Sequence, residues 1–113
     1  MNLLNRFLKS KTIASPPTTT DEQSVLIYIE GEDLDGSIPV QEALIDLLEG
    51  SEVGMFDGNE VGGGQLVLFL YGPDAELLFK HIEPVIRADE FCNGARVLIR
   101  WGKPGSPQRE VNL

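Results

Sequence analysis

Two acidic side chains followed by a run of glycines have the residue types and spacing to support chemistry. Asp57 and Glu60 stand three positions apart, and Gly62, Gly63 and Gly64 follow directly. Paired carboxylates can act as an acid and a base, or bind a hard cation, when their surroundings separate their pKa values or supply enough oxygens. In an extended strand such a pair points to opposite faces, so only a turn would bring it together. The competing interpretation is a polar hairpin that stays soluble and resists aggregation at its edge.

Tyr71 and Asp74, which follow the apolar stretch after the glycines, complete the candidate binding residues. Phosphate-binding loops join a strand to a helix and carry Lys with Ser/Thr, or spaced glycines. Here the glycines join two predicted strands and Glu60 is close by, so phosphate binding is poorly supported. No serine or cysteine is placed with a histidine in a recognisable triad, and we therefore predict no catalytic residue.

A second group of acids, Glu30, Glu32, Asp33 and Asp35, lies between the first predicted strand and helix. The spacing resembles a calcium loop superficially, but the central glycine and the closing glutamate are missing. We expect this loop at the opposite end of the sheet from the Asp57–Glu60 hairpin, so that the two groups form no common site. A solvated surface, or a docking patch for a basic partner, is the favoured interpretation.

The chain has one cysteine, Cys92, and one histidine, His81. This excludes an internal disulfide framework and a structural zinc site, and we predict neither a metal nor a cofactor. Acidic neighbours are expected to raise the pKa of the Cys92 thiol and leave it unreactive. A lone cysteine fits a reducing compartment, so we expect the protein in the cytoplasm. No run approaches about 18 apolar residues, so no membrane span is predicted.

The charge is divided unevenly between the two parts of the chain. Residues 1–20 carry Arg6, Lys9 and Lys11 and no acid, a formal charge of +3; the whole chain has −9, which leaves −12 for residues 21–113. Binding to DNA or RNA needs Lys and Arg to displace counterions, so nucleic acid is excluded as a partner. A basic protein partner remains, as does a surface that serves only solubility.

The first 20 residues are predicted to form a tail outside the domain. Leu4, Phe7 and Leu8 have the spacing of one helical stripe, and residues 15–20, SPPTTT, are typical of an extended linker. Either a frayed tail or a short amphipathic helix that docks elsewhere fits this pattern, since isolated helices of this length are marginal in water.

Residues 21–113 are predicted to form a single α+β domain. The patterns predict strands over 25–30, 53–61, 65–71 and 95–101, with a short edge strand over 108–112. One helix is expected to begin at a Ser37 cap and to end before Gly50. The second begins at Asp74, and Pro84 is expected to kink or end it. The glycines are predicted to turn the first hairpin; the alternative places the turn at Asp57–Gly58 and makes the glycines a bulge.

This β-α-β-β-α-β order predicts a ferredoxin-like antiparallel sheet with both helices on one face. Strands one and three are apolar on both sides, with Leu26 and Tyr28, and Val67, Phe69 and Tyr71, on the side away from the helices. A sheet that is apolar on both faces needs a cover on each. We expect a second subunit, a partner protein or the N-terminal helix to cover the open face.

The motif DGNEVGGG at 57–64, with YGPDAELL at 71–78, resembles that of a family of small bacterial proteins with no established activity. The similarity extends over about residues 25–113. It supports one fold unit and implies no chemistry.

The sequence therefore predicts a small, acidic binding protein, such as an immunity-like inhibitor that masks a basic partner. The alternative is a small enzyme or a ligand-binding or metal-binding domain that uses Asp57 and Glu60.

Overall fold

The computed structural model describes residues 22–113, in which strands and helices follow the order β-α-β-β-α-β-β. The predicted N-terminal helix and linker lie outside these residues. The elements are β1 (Gln23–Glu30), α1 (Leu34–Leu48), β2 (Met55–Gly62), β3 (Gln65–Gly72), α2 (Ala75–Ala88), a 3₁₀ turn (Glu90–Cys92), β4 (Arg96–Arg100) and β5 (Gln108–Asn112).

The five strands form one sheet in the order β2-β3-β1-β4-β5, and every pair is antiparallel. The predicted α+β class is thus confirmed, as is the C-terminal strand, which pairs with β4 at one edge. Strand β1, the first along the chain, lies in the centre. Both of its neighbours, β3 and β4, run opposite to it.

The hydrophobic core lies between one face of the sheet and the two helices. Alternate residues of β1 and β3 point into it, as expected from the period of two along a strand. Both helices contribute buried residues to the same cluster, so they pack on the same face. Its central members are Val25, Ile27, Leu44, Leu66, Leu68, Leu70, Leu78, Ile82, Ile86 and Ile99, each at most 1 % exposed.

Helix α1 begins one turn earlier than predicted. Its N-cap is Asp33, whose carboxylate accepts a hydrogen bond from the Gly36 amide at 2.9 Å. The predicted cap, Ser37, instead lies in the second turn and is fully buried, where its hydroxyl donates to the Leu34 carbonyl. The prediction was wrong because Asp33 can also cap a helix, and Gly36 lies in the first turn without ending it.

Helix α2 begins where the sequence predicts. Asp74 caps it by accepting hydrogen bonds from the amides of Glu76 and Leu77. The helix then continues past Pro84 to Ala88, so of the two expected effects of the proline, a kink or an end, the end does not occur. Ile82 and Ile86, on either side of the proline, are both buried in the core. Their burial offsets the one backbone hydrogen bond that a proline removes.

The hairpin between β2 and β3 turns at the glycines, as predicted. Gly63 and Gly64 have φ values of 62° and 84°, the left-handed backbone that a tight two-residue hairpin turn requires. The alternative turn at Asp57–Gly58 is absent, and a β-bulge between Phe56 and Gly58 stands there instead. The bulge adds one residue, Asp57, to β2 relative to the facing stretch of β3.

Candidate functional site: the open face of the sheet

The structure divides the predicted binding residues between the two ends of the sheet. Gly62, Gly63 and Gly64 lie at the turn between β2 and β3, whereas Tyr71 and Asp74 lie at the far end of β3. Glu60 pairs with Val67 in the middle of the hairpin and is exposed. These residues therefore do not surround one cavity.

Asp57 and Tyr71 do lie near one another. Burial raises the pKa of the Tyr71 phenol above its usual value, and the negative charges of Asp57 and Glu22 raise it further. Arg100 acts in the opposite direction and lowers it. Tyr71 is thus held neutral among charged neighbours, at the end of the sheet where the chain enters β1.

The acidic loop after β1 lies beside the glycine turn, not at the opposite end of the sheet. The Gly31 amide donates to the Gly64 carbonyl, and the Gly64 amide donates to a Glu32 carboxylate oxygen, both at 2.7 Å. The expectation was wrong because β1 and β3 are antiparallel, so Glu30 at the end of β1 faces Gln65 at the start of β3. The Glu32 carboxylate therefore stabilises the turn.

This arrangement places several acids at one end of the sheet without creating a metal site. Across residues 22–113, no group of three or more His, Cys, Asp or Glu side chains is placed to hold a metal ion. A hard cation needs several oxygens converging on one point. The acids of the β1–α1 loop and of the hairpin contribute charge to a surface.

The side of the sheet opposite the helices, which we call the open face, carries a continuous apolar row. In its middle, Leu26 of β1 pairs with Phe69 of β3 on one side and with Leu98 of β4 on the other. Opposed residues on neighbouring strands share a face, so these three side chains form a row across the central strands. Leu26 and Leu98 are 4 % and 8 % exposed, yet neither belongs to the core cluster between sheet and helices.

Two flanking rows extend the apolar surface along the strands. Tyr28 pairs with Val67, and Ser24 pairs with Tyr71, which in turn pairs with Met55 of β2. Four of these residues are half-buried, and Ser24 is buried. The open face thus has an apolar centre across at least three strands, which agrees with the pattern in the sequence.

Charges border the apolar centre with opposite signs on its two sides. On β4, Arg96 places its guanidinium carbon 4.5 Å from the centre of the Tyr28 ring and lies 3.8 Å from a Glu110 carboxylate oxygen. Arg100 donates to the Gln108 side chain at 3.1 Å. On β2, Glu60 lies beside Val67. The β2 side of the face is therefore acidic, and the arginines of the β4 side already have partners on β5.

An open groove of about 600 Å³ runs between α2 and β5 on the helix side of the sheet. Its main polar contact joins Glu76 to Arg109 by two hydrogen bonds of 2.7 and 2.8 Å, and the Trp101 indole also donates to Glu76 at 3.1 Å. The hydrogen bonds from Arg109 lower the pKa of Glu76. Sequence reasoning missed this contact, because Glu76 and Arg109 are 33 residues apart and no local pattern links them.

The thiol of the single cysteine is not an accessible nucleophile. Cys92 is 1 % exposed, and burial, followed by the charge of Asp89, raises the pKa of its thiol to about 12. The expected direction of the shift is confirmed, although burial contributes more to it than the neighbouring acid. A thiol with such a pKa carries almost no thiolate near neutral pH and is a poor nucleophile.

Comparison with known proteins gives no match to a family model, to a curated protein or to a solved structure. Within residues 22–113, neither helix is long and apolar enough to cross a membrane.

Proposed function

We propose that this protein is a small bacterial, cytoplasmic interaction protein of ferredoxin-like topology that binds a basic protein partner on its open face. One observation carries the proposal: the apolar row of Leu26, Phe69 and Leu98 lies on the sheet face opposite both described helices. An apolar sheet face of this kind is normally covered by another element or by a partner.

The charge of the domain supports a basic partner. Residues 21–113 carry a formal charge of −12, from 18 acids and 6 bases. A field of one sign attracts a partner of the other sign, accelerates its association and disfavours acidic competitors. Glu60, exposed beside the apolar row, can contact such a partner directly. A protein that masks a basic surface on another protein, as an inhibitor would, fits this chemistry.

The alternative, a ligand or metal site on Asp57 and Glu60, has weaker support. Asp57 lies in the bulge of β2, whereas Glu60 lies beyond it, opposite Val67, and is exposed. Acid–base chemistry would need two groups with separated pKa values and a common substrate position. The proximity of Asp57 to Tyr71 is the observation that favours it. We therefore propose binding rather than catalysis.

A paired set of variants tests the proposal. Val67→Thr with Phe69→Thr removes apolar surface from the open face and keeps residue types that favour strands. The matched control is Leu77→Thr in α2. Leu77 is 51 % exposed and belongs to the helix layer, away from the open face. Tagged full-length proteins would be used to capture partners from native lysate, with quantification by mass spectrometry.

We expect a basic protein to be captured in near-stoichiometric amount by the wild type and by the control, and to be lost from the double variant. Circular dichroism would establish that both variants are folded. Equal capture by the wild type and the folded double variant would overturn the open face as the binding surface. Capture of acidic proteins alone would overturn the proposed class of partner.

A further inference from the structure

We infer that the open face binds the chain's own N-terminal segment, residues 3–13, which lays Leu4, Phe7 and Leu8 across the apolar row in the same molecule. The inference deepens the proposed function and rests on it in one respect, that the open face is a binding surface. It also specifies the chemistry of an external partner, which would have to resemble this segment: basic, and apolar along one helical stripe.

The apolar residues of the segment match those of the face. Leu4, Phe7 and Leu8 recur at the spacing that places side chains on one side of a helix. The face offers Leu26, Phe69 and Leu98 in a single row, with further half-buried apolar residues beside them. Full burial of a Leu or Phe side chain contributes about 1.5–3 kcal/mol. A helix this short is marginal in water, so such a contact can decide whether it forms.

Charge favours the segment over a second copy of the chain. Arg6, Lys9 and Lys11 give residues 1–20 a charge of +3, opposite in sign to the −12 of residues 21–113. Two copies would instead bring together surfaces that are each strongly acidic. On the face itself, Glu60 beside Val67 and Glu30 at the end of β1 offer carboxylates to the basic side chains.

The point at which the chain enters the sheet makes docking within one molecule geometrically straightforward. Strand β1 is the central strand, and Ser24, its second residue, lies on the open face between Tyr71 and Arg100. The nine residues 14–22 can span at most about 30 Å when fully extended. Eight residues of a strand cover about 27 Å, so the segment can reach any part of the face.

Tethering makes even weak contacts effective. A segment joined by a short linker is present at an effective concentration of about millimolar, whatever the protein concentration. An external partner therefore competes with the segment and binds only by displacing it. The open face is then covered in the partner-free protein, which answers the requirement that an apolar sheet face has a cover.

The test measures, by paramagnetic relaxation, which amides lie close to the segment in the full-length protein. A spin label is attached to a Ser10→Cys variant by maleimide chemistry near neutral pH. Cys92 does not compete, because it is buried and its thiol pKa is raised to about 12. We expect the amide signals of Leu26, Tyr28, Val67 and Phe69 to lose most of their intensity, and those in the outer turns of α1 and α2 to keep theirs.

A double substitution in the labelled chain, with a matched control, tests whether the apolar stripe makes the contact with the open face. Phe7→Asp with Leu8→Asp removes the apolar stripe, and we expect the open-face signals to recover. Asn2→Asp with Asn5→Asp adds the same two negative charges but leaves the stripe intact, and we expect the signals to stay broadened. Open-face signals that are unaffected by the label, or broadening that persists without the stripe, would overturn the inference.

A mixed sample decides which molecule supplies the segment. Isotope-labelled chain without a spin label is combined with spin-labelled chain without isotopes. We expect no loss of open-face signal in this mixture. A loss there would overturn docking within one molecule and assign the cover to a second copy.

The outcome is independent of the partner experiment. If the label broadens the open face but Val67→Thr with Phe69→Thr captures the same proteins as the wild type, the partner proposal fails and the segment remains the cover. If the label has no effect while capture depends on the face, the segment inference alone fails. If both the partner proposal and the segment inference hold, Phe7→Asp with Leu8→Asp increases capture of the partner, because the segment no longer competes for the open face.

Discussion

A short chain of polar side chains joins helix α1 to strand β2 inside the domain. The Asn59 amide donates to the Gln41 carbonyl oxygen at 3.0 Å, and the Gln41 amide donates to the Ser37 hydroxyl at 2.7 Å. Gln41 and Ser37 are both 0 % exposed. A buried polar group is costly unless it is hydrogen-bonded, so this chain fixes how α1 sits against β2 and, through β2, the edge of the open face.

Asn59→Ala tests this role, because it leaves the buried Gln41 oxygen without its donor. We expect the free energy of unfolding to fall by about 1–3 kcal/mol, the cost of an unsatisfied buried polar group. The control is Gln108→Ala, which removes an exposed hydrogen bond to Arg100 and is expected to change stability by less than about 0.5 kcal/mol. Urea unfolding of both variants gives the comparison. Equal losses would mean that the polar chain is not a stabilising connection.

The role of a polar side chain could be predicted from the sequence only where its hydrogen-bond partners are close to it along the chain. Asp74 was identified from the sequence, and it caps α2. The pairing of Asn59 with Gln41 spans 18 residues and that of Glu76 with Arg109 spans 33. Such contacts depend on which strands become neighbours, and no spacing along the chain specifies that.

The approach of the loop before β2 to the end of β3 depends on two glycines. A Cβ atom on Gly72 would overlap the Val53 carbonyl oxygen, and the Gly54 backbone lies directly beside it. Close backbone approach of this kind excludes any larger residue unless the chain shifts. Gly62, in the glycine turn, has open space around its Cα instead.

Gly72→Ala and Gly62→Ala form a matched pair in the same hairpin. We expect Gly72→Ala to lower the free energy of unfolding by about 1–3 kcal/mol, the usual cost of overpacking. Gly62→Ala is expected to be neutral or slightly stabilising, by up to about 1 kcal/mol, since it restricts the unfolded chain. Thermal and urea unfolding measure both. A tolerated Gly72→Ala would show that the loop before β2 can move away.

Most strands and helices follow from local patterns, and the errors have local causes. The alternation of apolar residues was sufficient to predict β1 and β3, and the run of glycines was sufficient to predict the turn between β2 and β3. The start of α1 was misplaced because Asp33 and Ser37 are both good caps, and Asp33 is the one that caps the helix. Of the two alternatives for Pro84, the one in which it ends α2 fails because burial of Ile86 outweighs the hydrogen bond that the proline removes.

Binding of the proposed basic partner is expected to depend on salt, because residues 21–113 carry a formal charge of −12. Raising the ionic strength from about 0.1 M to about 1 M shortens the Debye length from about 10 Å to about 3 Å. We expect capture of a basic partner to weaken strongly over this range, and its association rate to fall more than its dissociation rate rises. Surface plasmon resonance with the captured partner measures both rates.

A matched variant separates electrostatic attraction from the apolar contact. Glu60→Gln removes one charge from the border of the face, and we expect it to reduce the salt dependence while binding persists. Binding that is unchanged, or strengthened, by salt would contradict attraction of a basic partner and favour a purely apolar contact. Loss of binding in Glu60→Gln at every salt concentration would indicate a specific hydrogen bond instead.

The order of elements, the turn at the glycines, the acidity and the two-sided apolar character of β1 and β3 are all local properties, and the sequence was sufficient to predict them. The strand order decided the rest. Because β1 lies between antiparallel neighbours, the acidic loop meets the glycine turn, and Leu26, Phe69 and Leu98 form one row. The pairing of β2 with β3 brings Asp57 near Tyr71. Contacts between distant residues arise only when the sheet assembles, so the sequence predicted an apolar open face on β1 and β3, and the tertiary structure added Leu98 of β4 to it and showed which of these residues are neighbours.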